Sequence, residues 1–377
     1  MNKRIKLGMI GGGPGSFIGP VHRKAARMTN DYEFVGGVFS ADFEKAKQVA
    51  DSDHIDVNRI YPDLNTMIRT ELALPAEERM QAVSIVTPNY IHFEAAQKLL
   101  MNGFHVICDK PVTTTVPEAL ELKRLVDETG LTFCLTHTYL GYPMVRQMRE
   151  LVKTGVLGEI QRVDAQYYQG WVNPLIHGGE SHLSAWRFDS KYAGASSCLG
   201  DIGVHAFNLI EYASGLKCTQ VLADMNHVVN HVDLDLDATV LLRMDNNCLG
   251  LVRASQVAAG EENDLKIGIY GSKASLKWDQ ENPNYLYLIS DDEPNKVYRP
   301  AHAYNTEIAA ISSGLPCGHP EGLHEAFANL YAASAKSIRG EELKDGELPG
   351  IVDGVRGMQF IEGAVNSFKK GNTWVKL

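Results

Sequence analysis

The 377-residue chain is 44% hydrophobic and 22% charged, the balance of a globular protein, and is long enough for two domains of roughly 100–200 residues each. Its formal net charge of -10 argues against nucleic acid or an anionic membrane surface as the main partner, and no apolar run approaches the roughly 18–20 residues that span a bilayer. Six scattered cysteines (Cys108, Cys134, Cys198, Cys218, Cys248, Cys317), without a C-x-x-C pair, indicate neither a disulfide framework nor a zinc cluster.

The chain opens "MNKRIKLGMIGGG". Basic residues precede an apolar stretch, as in a signal peptide, but the stretch is too short and turns into glycines rather than a cleavage site. It reads as the first strand of the fold, and the protein as cytoplasmic. "VHRKAARM" then has helical character, "YEFVGGVFS" is a second strand and "ADFEKAKQVADS" a helix. The strand "AVSIVTPN" leads into the helix "YIHFEAAQKLLMNG", which closes on Gly103, a good helix stop. "FHVICDKP", the helix "VPEALELKRLVDETG" and the strand "LTFCLTHTY" complete the series. Short continuous apolar strands alternating with amphipathic helices imply a parallel sheet covered on both faces. Ligands of such sheets sit at the carboxyl ends of the strands. Gly11 to Gly15, Ser40, Thr87 to Asn89 and Asp109 to Pro111 all fall there.

The dinucleotide fingerprint is G-x-G-x-x-G, whereas Gly11-Gly12-Gly13-Pro14-Gly15-Ser16 has serine in the third place. Gly19, in "GPVH", can supply the close-packing glycine if the loop carries a three-residue insertion. Glycines there let backbone amides approach a pyrophosphate, with a helix N-terminus close by to favour its charge; a glycine-rich turn without a ligand is the alternative. The second strand ends Phe39-Ser40-Ala41-Asp42, so the acid that usually binds the adenosine ribose is absent or displaced by two residues. No arginine adjoins Ser40 to hold a 2′-phosphate, which favours NAD, with NADP as the alternative. "TPNYIH" offers Thr87 and Asn89 at a strand-to-helix junction, where Asn89 also suits helix capping. In "FHVICDKPVTTT", Lys110 stands at the end of a buried strand, and lysine is almost never buried without a partner.

From about Tyr142 the pattern changes. After the helix "PMVRQMRELVKTG" come the strands "EIQRVDAQYY", "CTQVLADMNHVV", "DATVLLRM", "CLGLVRASQV", "LKIGIYG", "ASLKW" and "YLYLIS". Turns at Asn246-Asn247 and Gly271-Ser272-Lys273 make them mostly antiparallel. The fold class is therefore α/β, with an N-terminal Rossmann-type parallel sheet and a C-terminal α+β domain built on a large, mostly antiparallel open sheet. The expected domains are residues 1–140, binding the dinucleotide, and 141–377, for substrate binding and oligomerisation. The two helices near the end, "HEAFANLYAASAKSIRG" and "VDGVRGMQFIEGAVNSFKKG", are candidates to pack back on the first domain. The stretch "QGWVNPLIHGGESHLSAWRFDSKYAGASS" is long and irregular, as functional loops often are.

In "LGDIGVHAFNLIEYASG", Ile202, Ala206, Leu209, Ile210 and Ala213 form an apolar helical stripe, with Asp201, His205, Asn208 and Tyr212 on the opposite face. A carboxylate beside an imidazole orients it and tunes its pKa. Asp201 also suits a helix cap, and His205 a satisfied core histidine. A D-x-x-x-H pair suits a metal as well, but no further ligand completes a set, so no metal is expected.

A glycine loop on strand one, D-K-P at a strand end and G-D-x-G-x-H opening a helix in the second domain together resemble the glucose–fructose oxidoreductase / inositol dehydrogenase (Gfo/Idh/MocA) family over nearly the whole chain. The resemblance implies an NAD(P)-dependent oxidoreductase acting on CH–OH groups of a sugar, glycoside or inositol, and a homo-oligomer, dimer or tetramer. By position, Lys110 matches the catalytic lysine, Asp201 the substrate-binding acid and His205 the catalytic histidine. Gly11, Gly13, Thr87 and Asn89 match cofactor contacts, and the expected cofactor surface extends to Gly15, Ser16, Phe17, Ser40, His92, Asp109 and Lys110. Substrate is expected on Lys110, Tyr139, Trp186, Arg187, Asp201 and His205, with Tyr142 and Trp171 as further aromatic faces. His205 is then the base, and Lys110 stabilises the developing alkoxide. The rival readings are an NAD(P)H-dependent keto-sugar reductase and a non-catalytic nucleotide- and sugar-binding regulatory protein.

Overall fold

A computed structural model describes residues 3–176, 185–228, 232 and 234–377. From the N-terminus it runs β1 (Ile5–Gly11), α1 (Ile18–Thr29), β2 (Tyr32–Val38), α2 (Phe43–Asp53), α3 (Leu64–Ala73), β3 (Ala82–Val86), α4 (Asn89–Met101), β4 (His105–Cys108), α5 (Val116–Thr129) and β5 (Phe133–Leu135). There follow α6 (Pro143–Lys153), β6 (Ile160–Tyr168), α7 (Asn173–Ile176), α8 (Ser190–Ala193), α9 (Val204–Ser214), β7 (Cys218–Asn226), β8 (Asp237–Met244) and β9 (Leu249–Ser255). The chain ends with β10 (Asp264–Gly271), β11 (Ser275–Asp279), β12 (Leu286–Ile289), β13 (Lys296–Tyr298), α10 (Glu307–Ile311), α11 (Leu323–Ile338), α12 (Ile351–Lys369) and β14 (Val375–Lys376). It divides into two compact units, one of residues up to 113, 117–138 and 323–355, the other of 114–116, 139–322 and 356–377.

The first unit is a five-stranded sheet in the order β2-β1-β3-β4-β5, with every pair parallel. All five residues of β3 are buried, as a strand with helices on both faces requires. On one face Leu7, Val21, Ala25 and Ile107 pack with Phe327, Leu330 and Tyr331 of α11. On the other, Met9, Phe39, Val49, Ile60 and Val86 form a second layer. The register brings Gly11 beside Val86, and Ile85 beside Cys108. Three neighbouring strands therefore release their chains at one edge, into the glycine loop, Thr87 and Asp109-Lys110.

The second unit holds a nine-stranded sheet in the order β13-β12-β11-β10-β6-β9-β8-β7-β14. Among the described residues β6 and β9 pair in parallel and the remaining pairs of this sheet are antiparallel. β8 alternates buried and outward positions along its length, the period-two signature of a sheet with one covered face.

The sequence predicts a helix around His205 with an apolar stripe on one face and polar residues on the other. Instead all eleven residues of α9 are buried, and its polar groups are paired rather than solvated. Glu211 accepts from Arg356 at 2.6 Å and from the backbone N–H of Cys218 at 2.9 Å, and Phe207 stacks on Phe360 at 4.3 Å. Tertiary pairing has replaced water on the polar face. Cys108, Cys134, Cys198 and Cys218 are buried free thiols, and among the described residues no helix is long and apolar enough to cross a membrane.

Candidate active site

The glycine loop fits a phosphate-bearing ligand in its backbone geometry. Gly11 and Gly12 have φ of 84° and 69°, a region that side chains rarely adopt. A Cβ on Gly13 would fall 2.3 Å from the carbonyl oxygen of Phe39, and one on Gly19 would fall 2.4 Å from the Cα of Gly12. Gly19 is thus the close-packing glycine that Ser16 cannot be. Ser16 turns its hydroxyl to the head of α1, where Oγ accepts the N–H of Gly19 at 3.2 Å. Gly15 faces open space, and Phe17 is 77% exposed at the loop tip. Behind the loop, the buried Arg23 donates to the Gly12 carbonyl at 2.8 Å and pairs through Nε with Asp53 at 2.9 Å.

At the end of β2, Ser40 accepts the N–H of Asp42 at 3.1 Å. The Asp42 carboxylate in turn accepts the N–H groups of Glu44 and Lys45 at 3.1 and 3.2 Å. The acid displaced by two residues is consumed as the cap of α2, one of the outcomes its position allows.

At the ends of β3 and β4, Asn89 heads α4 with Pro88 in the capping position. Thr87 carries a buried hydroxyl with no hydrogen-bond partner among the described residues. His92 is fully buried, with Nε2 2.9 Å from the carbonyl oxygen of Thr87 and Nδ1 2.8 Å from that of Pro111. Both ring nitrogens face backbone, so His92 bears on the site by fixing those two carbonyls. Burial draws its pKa down against the pull of the Pro111 carbonyl. Lys110 is half-buried and joined to Pro111 by a cis peptide bond. Near it lies the buried His137, whose pKa burial and the Lys110 charge lower to about 3. Asp109 turns inward: Oδ1 accepts the Thr136 hydroxyl at 2.5 Å and lies 3.0 Å from His22 Nε2. Burial works against its charge, but His22 and then Thr136 outweigh it and keep the carboxyl below its usual range.

In the second unit, Asp201 does not share a regular α-helix with His205. It lies in a π-helical turn, Leu199–Gly203, that leads into α9. Such turns recur at functional sites. This one is held by Asp235, a buried carboxyl that accepts the N–H groups of Ser197 and Leu199, both at 2.9 Å; burial pushes its pKa up against those bonds. Asp201 accepts from Gln256 at 2.9 Å and stands 3.6 Å from the Arg187 guanidinium. Arg187 also lies over the Trp186 ring at 4.6 Å, so the Trp-Arg pair meets the acid that the sequence singled out.

His205 is 9% exposed and meets the edge of Tyr139 at 4.8 Å between ring centroids. Tyr139 and Tyr167 share a hydrogen bond of 2.5 Å, and Tyr167 donates to Asn263. Asn263 also accepts from Gln169 at 3.0 Å and donates to Gln280 at 2.7 Å. Gln169 accepts from Trp171 at 3.1 Å, and Tyr142 stacks on Tyr139 at 6.2 Å. Burial raises the pKa of both Tyr139 and Tyr167, so His205 stands among neutral phenols and amides. Residues 177–184 of the long loop lie outside the described residues.

Sequence reasoning missed His22, His137, Tyr167, Asp235, Gln256 and Asn263. Each earns its place by a contact with a residue remote in the chain, and no local motif marks such contacts.

A parallel sheet whose first crossover is a glycine cradle, with a lysine two strands away at the same edge, has the architecture of a dinucleotide-binding domain with its ligand at the carboxyl ends of the strands. Residues 5–137 match the oxidoreductase family with an NAD-binding Rossmann fold, and residues 145–277 match the GFO/IDH/MocA C-terminal domain. An uncharacterized oxidoreductase of Bacillus subtilis is 32% identical over 100% of this chain and 98% of its own. A levoglucosan dehydrogenase of Pseudarthrobacter phenanthrenivorans is 28% identical over 78% of this chain and 80% of its own. The crystal structure of an inositol dehydrogenase homolog from Azotobacter vinelandii, complexed with NAD+, superposes with a TM-score of 0.94 at 32% identity, covering 100% of this chain and 98% of that one. The same homolog has been solved with NADH and myo-inositol, at 31% identity and a TM-score of 0.90, over 100% of this chain and 98% of that one. The chain belongs to the Gfo/Idh/MocA family of oxidoreductases and is an NAD-dependent enzyme.

Proposed function

We propose that this enzyme oxidises a secondary hydroxyl of a sugar, glycoside or inositol. The observation that carries the reading is the shared strand edge: Lys110 follows β4, Thr87 follows β3 and the glycine cradle follows β1, on three adjacent strands of one sheet. NAD, when bound, supplies the nicotinamide that takes up a hydride. The chain's own residues manage the nucleotide, the oxygen and its proton.

The backbone of Gly11 to Gly13 and the head of α1 hold the pyrophosphate, and the buried Thr87 hydroxyl is available to the same ligand. The Lys110 ammonium donates a hydrogen bond to the substrate oxygen as negative charge builds on it, an electrostatic contribution that grows toward the transition state. His205 accepts the hydroxyl proton, while Asp201, poised by Gln256 and Arg187, binds the substrate and orients the imidazole. Trp186 offers a ring to a carbohydrate, while the buried Tyr139 backs the His205 imidazole. The relatives fit this reading, since one is named a levoglucosan dehydrogenase and another is a homolog of inositol dehydrogenase solved with myo-inositol. A homo-oligomer formed through the open sheet fits it too, and light scattering of the purified protein tests that point.

The deciding experiment is a screen for NAD reduction over inositols, monosaccharides and anhydrosugars, repeated with Lys110→Ala and His205→Ala. Each variant should lose at least about a hundredfold in kcat while keeping its fold. Near-wild-type turnover in either would sink the assignment of roles.

A further inference from the structure

His22 has no part in the reading above, yet it occupies a telling position. It lies one turn into α1, three residues after the Gly19 that packs on Gly12 of the nucleotide loop. Its ring is completely buried against Phe327, 4.8 Å between centroids. Nε2 lies 3.0 Å from Oδ1 of Asp109, the residue next to Lys110, and Nδ1 lies 2.9 Å from the Tyr331 hydroxyl. Tyr331 Oη is in turn 2.8 Å from Ser84 Oγ on β3.

One proton on Nε2 satisfies every member of this chain. His22 then donates to the Asp109 carboxylate, Tyr331 donates to Nδ1, and Ser84 donates to Tyr331. The phenol of Tyr331 keeps its proton because burial raises its pKa far above the ordinary value. Buried polar groups fully paired in this way fix geometry, since breaking any one link strands the next. Asp109 has a single short side chain with which to reach both Thr136 and His22. Its backbone, and with it the start of the Lys110 residue, is therefore pinned to α1.

We propose that His22 is a positioning residue: through Asp109 it holds Lys110 in register with the nucleotide loop, so that the lysine stands where the reacting oxygen is presented. This rests on the reading of Lys110 as the group that meets that oxygen. The lever is geometric, because an error of about 1 Å in a group that must meet a transition state costs on the order of a hundredfold.

The test uses the full-length enzyme and the best alcohol from the substrate screen. Asp109→Glu adds a methylene and His22→Asn removes reach, so each alone should lower kcat about tenfold. The KM for the alcohol should stay within about twofold, and NADH affinity, read by fluorescence, within about threefold. The double variant pairs the longer acid with the shorter donor and should recover kcat to within about threefold of wild type. A merely structural role predicts losses that multiply in the double variant. That result, or wild-type kcat in either single variant, would overturn the proposal.

Should the single variants fail to melt cooperatively, Tyr331→Phe removes only the hydroxyl that faces Nδ1. It should lower kcat about threefold and mix the His22 tautomers, read by 15N NMR of the protein without nucleotide. Unchanged kcat with a single unchanged tautomer would overturn the proposal equally. Lys110→Ala separates the two possible failures. Retained turnover there removes the role of Lys110 itself, whereas lost turnover there with multiplying losses at 22 and 109 removes only the positioning by His22.

Discussion

The two units support their functional side chains in different ways. In the first, the supports are charged or imidazole groups sealed from water: Arg23 on Asp53 behind the glycine loop, His22 on Asp109 beside Lys110, and His92 between two carbonyls. In the second, charged groups hold the backbone, with Asp235 at the π-helical turn and Arg356 on Glu211 of α9. The ring of His205, however, meets Tyr139 and Tyr167, whose hydroxyls continue to Asn263 and Gln169, neutral groups that both donate and accept. A buried ion pair is costly to break, because removing one partner strands the other charge. A network of phenols and amides can rotate its hydroxyls to suit a new neighbour. The first arrangement suits a ligand that never changes, the dinucleotide; on the function proposed above, the second suits a substrate with several hydroxyls.

The largest effect that would break this contrast is in stability. Arg23→Ala leaves the Asp53 carboxylate to the half-exposed Arg27 and the Ser52 hydroxyl and should cost about 3 kcal/mol in urea unfolding. A cost below about 1 kcal/mol would mean that the pair behaves like a surface contact. In the second unit, Asp235→Ala strands two buried N–H groups at the π-helical turn and should cost about 2 kcal/mol. Turnover should fall with it, because that turn carries Asp201. Stability lost without turnover would separate the turn from the chemistry.

A pH titration sharpens the contrast from another side. His137 is neutral when folded down to about pH 3, but in the unfolded chain it takes up a proton near its ordinary value of 6.5. Between those limits the unfolded state binds one proton more, so stability falls as pH falls, by up to about 1.4 kcal/mol per pH unit. Above pH 6.5 the slope fades as the unfolded histidine also loses its proton. Buried His92, whose pKa is also lowered, adds slope of the same sign, and His137→Gln should remove its own share of the dependence. The smallest expected effect is at Tyr167→Phe. It deletes one hydroxyl from the neutral network and should change kcat/KM by about threefold to tenfold, with different factors for different sugars. An equal factor for all substrates would argue that the network does not read hydroxyl patterns.

The contrast also explains what was legible in the sequence. The five parallel strands, the glycine loop and D-K-P are local patterns and lie where those patterns predict, whereas G-D-x-G-x-H leads into its helix through a π-helical turn. Gly19 was recoverable because three residues of insertion preserve the physics of close packing. The supports were not recoverable, because each is a meeting of distant residues. His22 is 87 positions from Asp109 and 309 from Tyr331, and nothing near "GPVH" announces either partner. The π-helical turn escaped for a related reason. The spacing of Asp201 and His205 fits an α-helix equally well, and the carboxyl that holds the wider turn, Asp235, comes thirty-four residues after Asp201 in the chain.

The placement of α11 has a consequence for how the protein is made. β1 to β5 are complete by Leu135, yet the apolar layer over Leu7 and Ile107 needs Phe327, Leu330 and Tyr331. Tyr32, in the second strand, donates its hydroxyl to the Tyr331 carbonyl at 2.9 Å. A nascent chain therefore carries a nearly finished nucleotide-binding sheet with one face covered only in part, by α1, while almost two hundred further residues are synthesised. Domains generally fold as units during synthesis, and a sheet bared in this way invites aggregation. Ribosome-bound chains halted at residue 320 should accordingly be captured by hydrophobic-surface chaperones, and chains halted past residue 370 should be released from them.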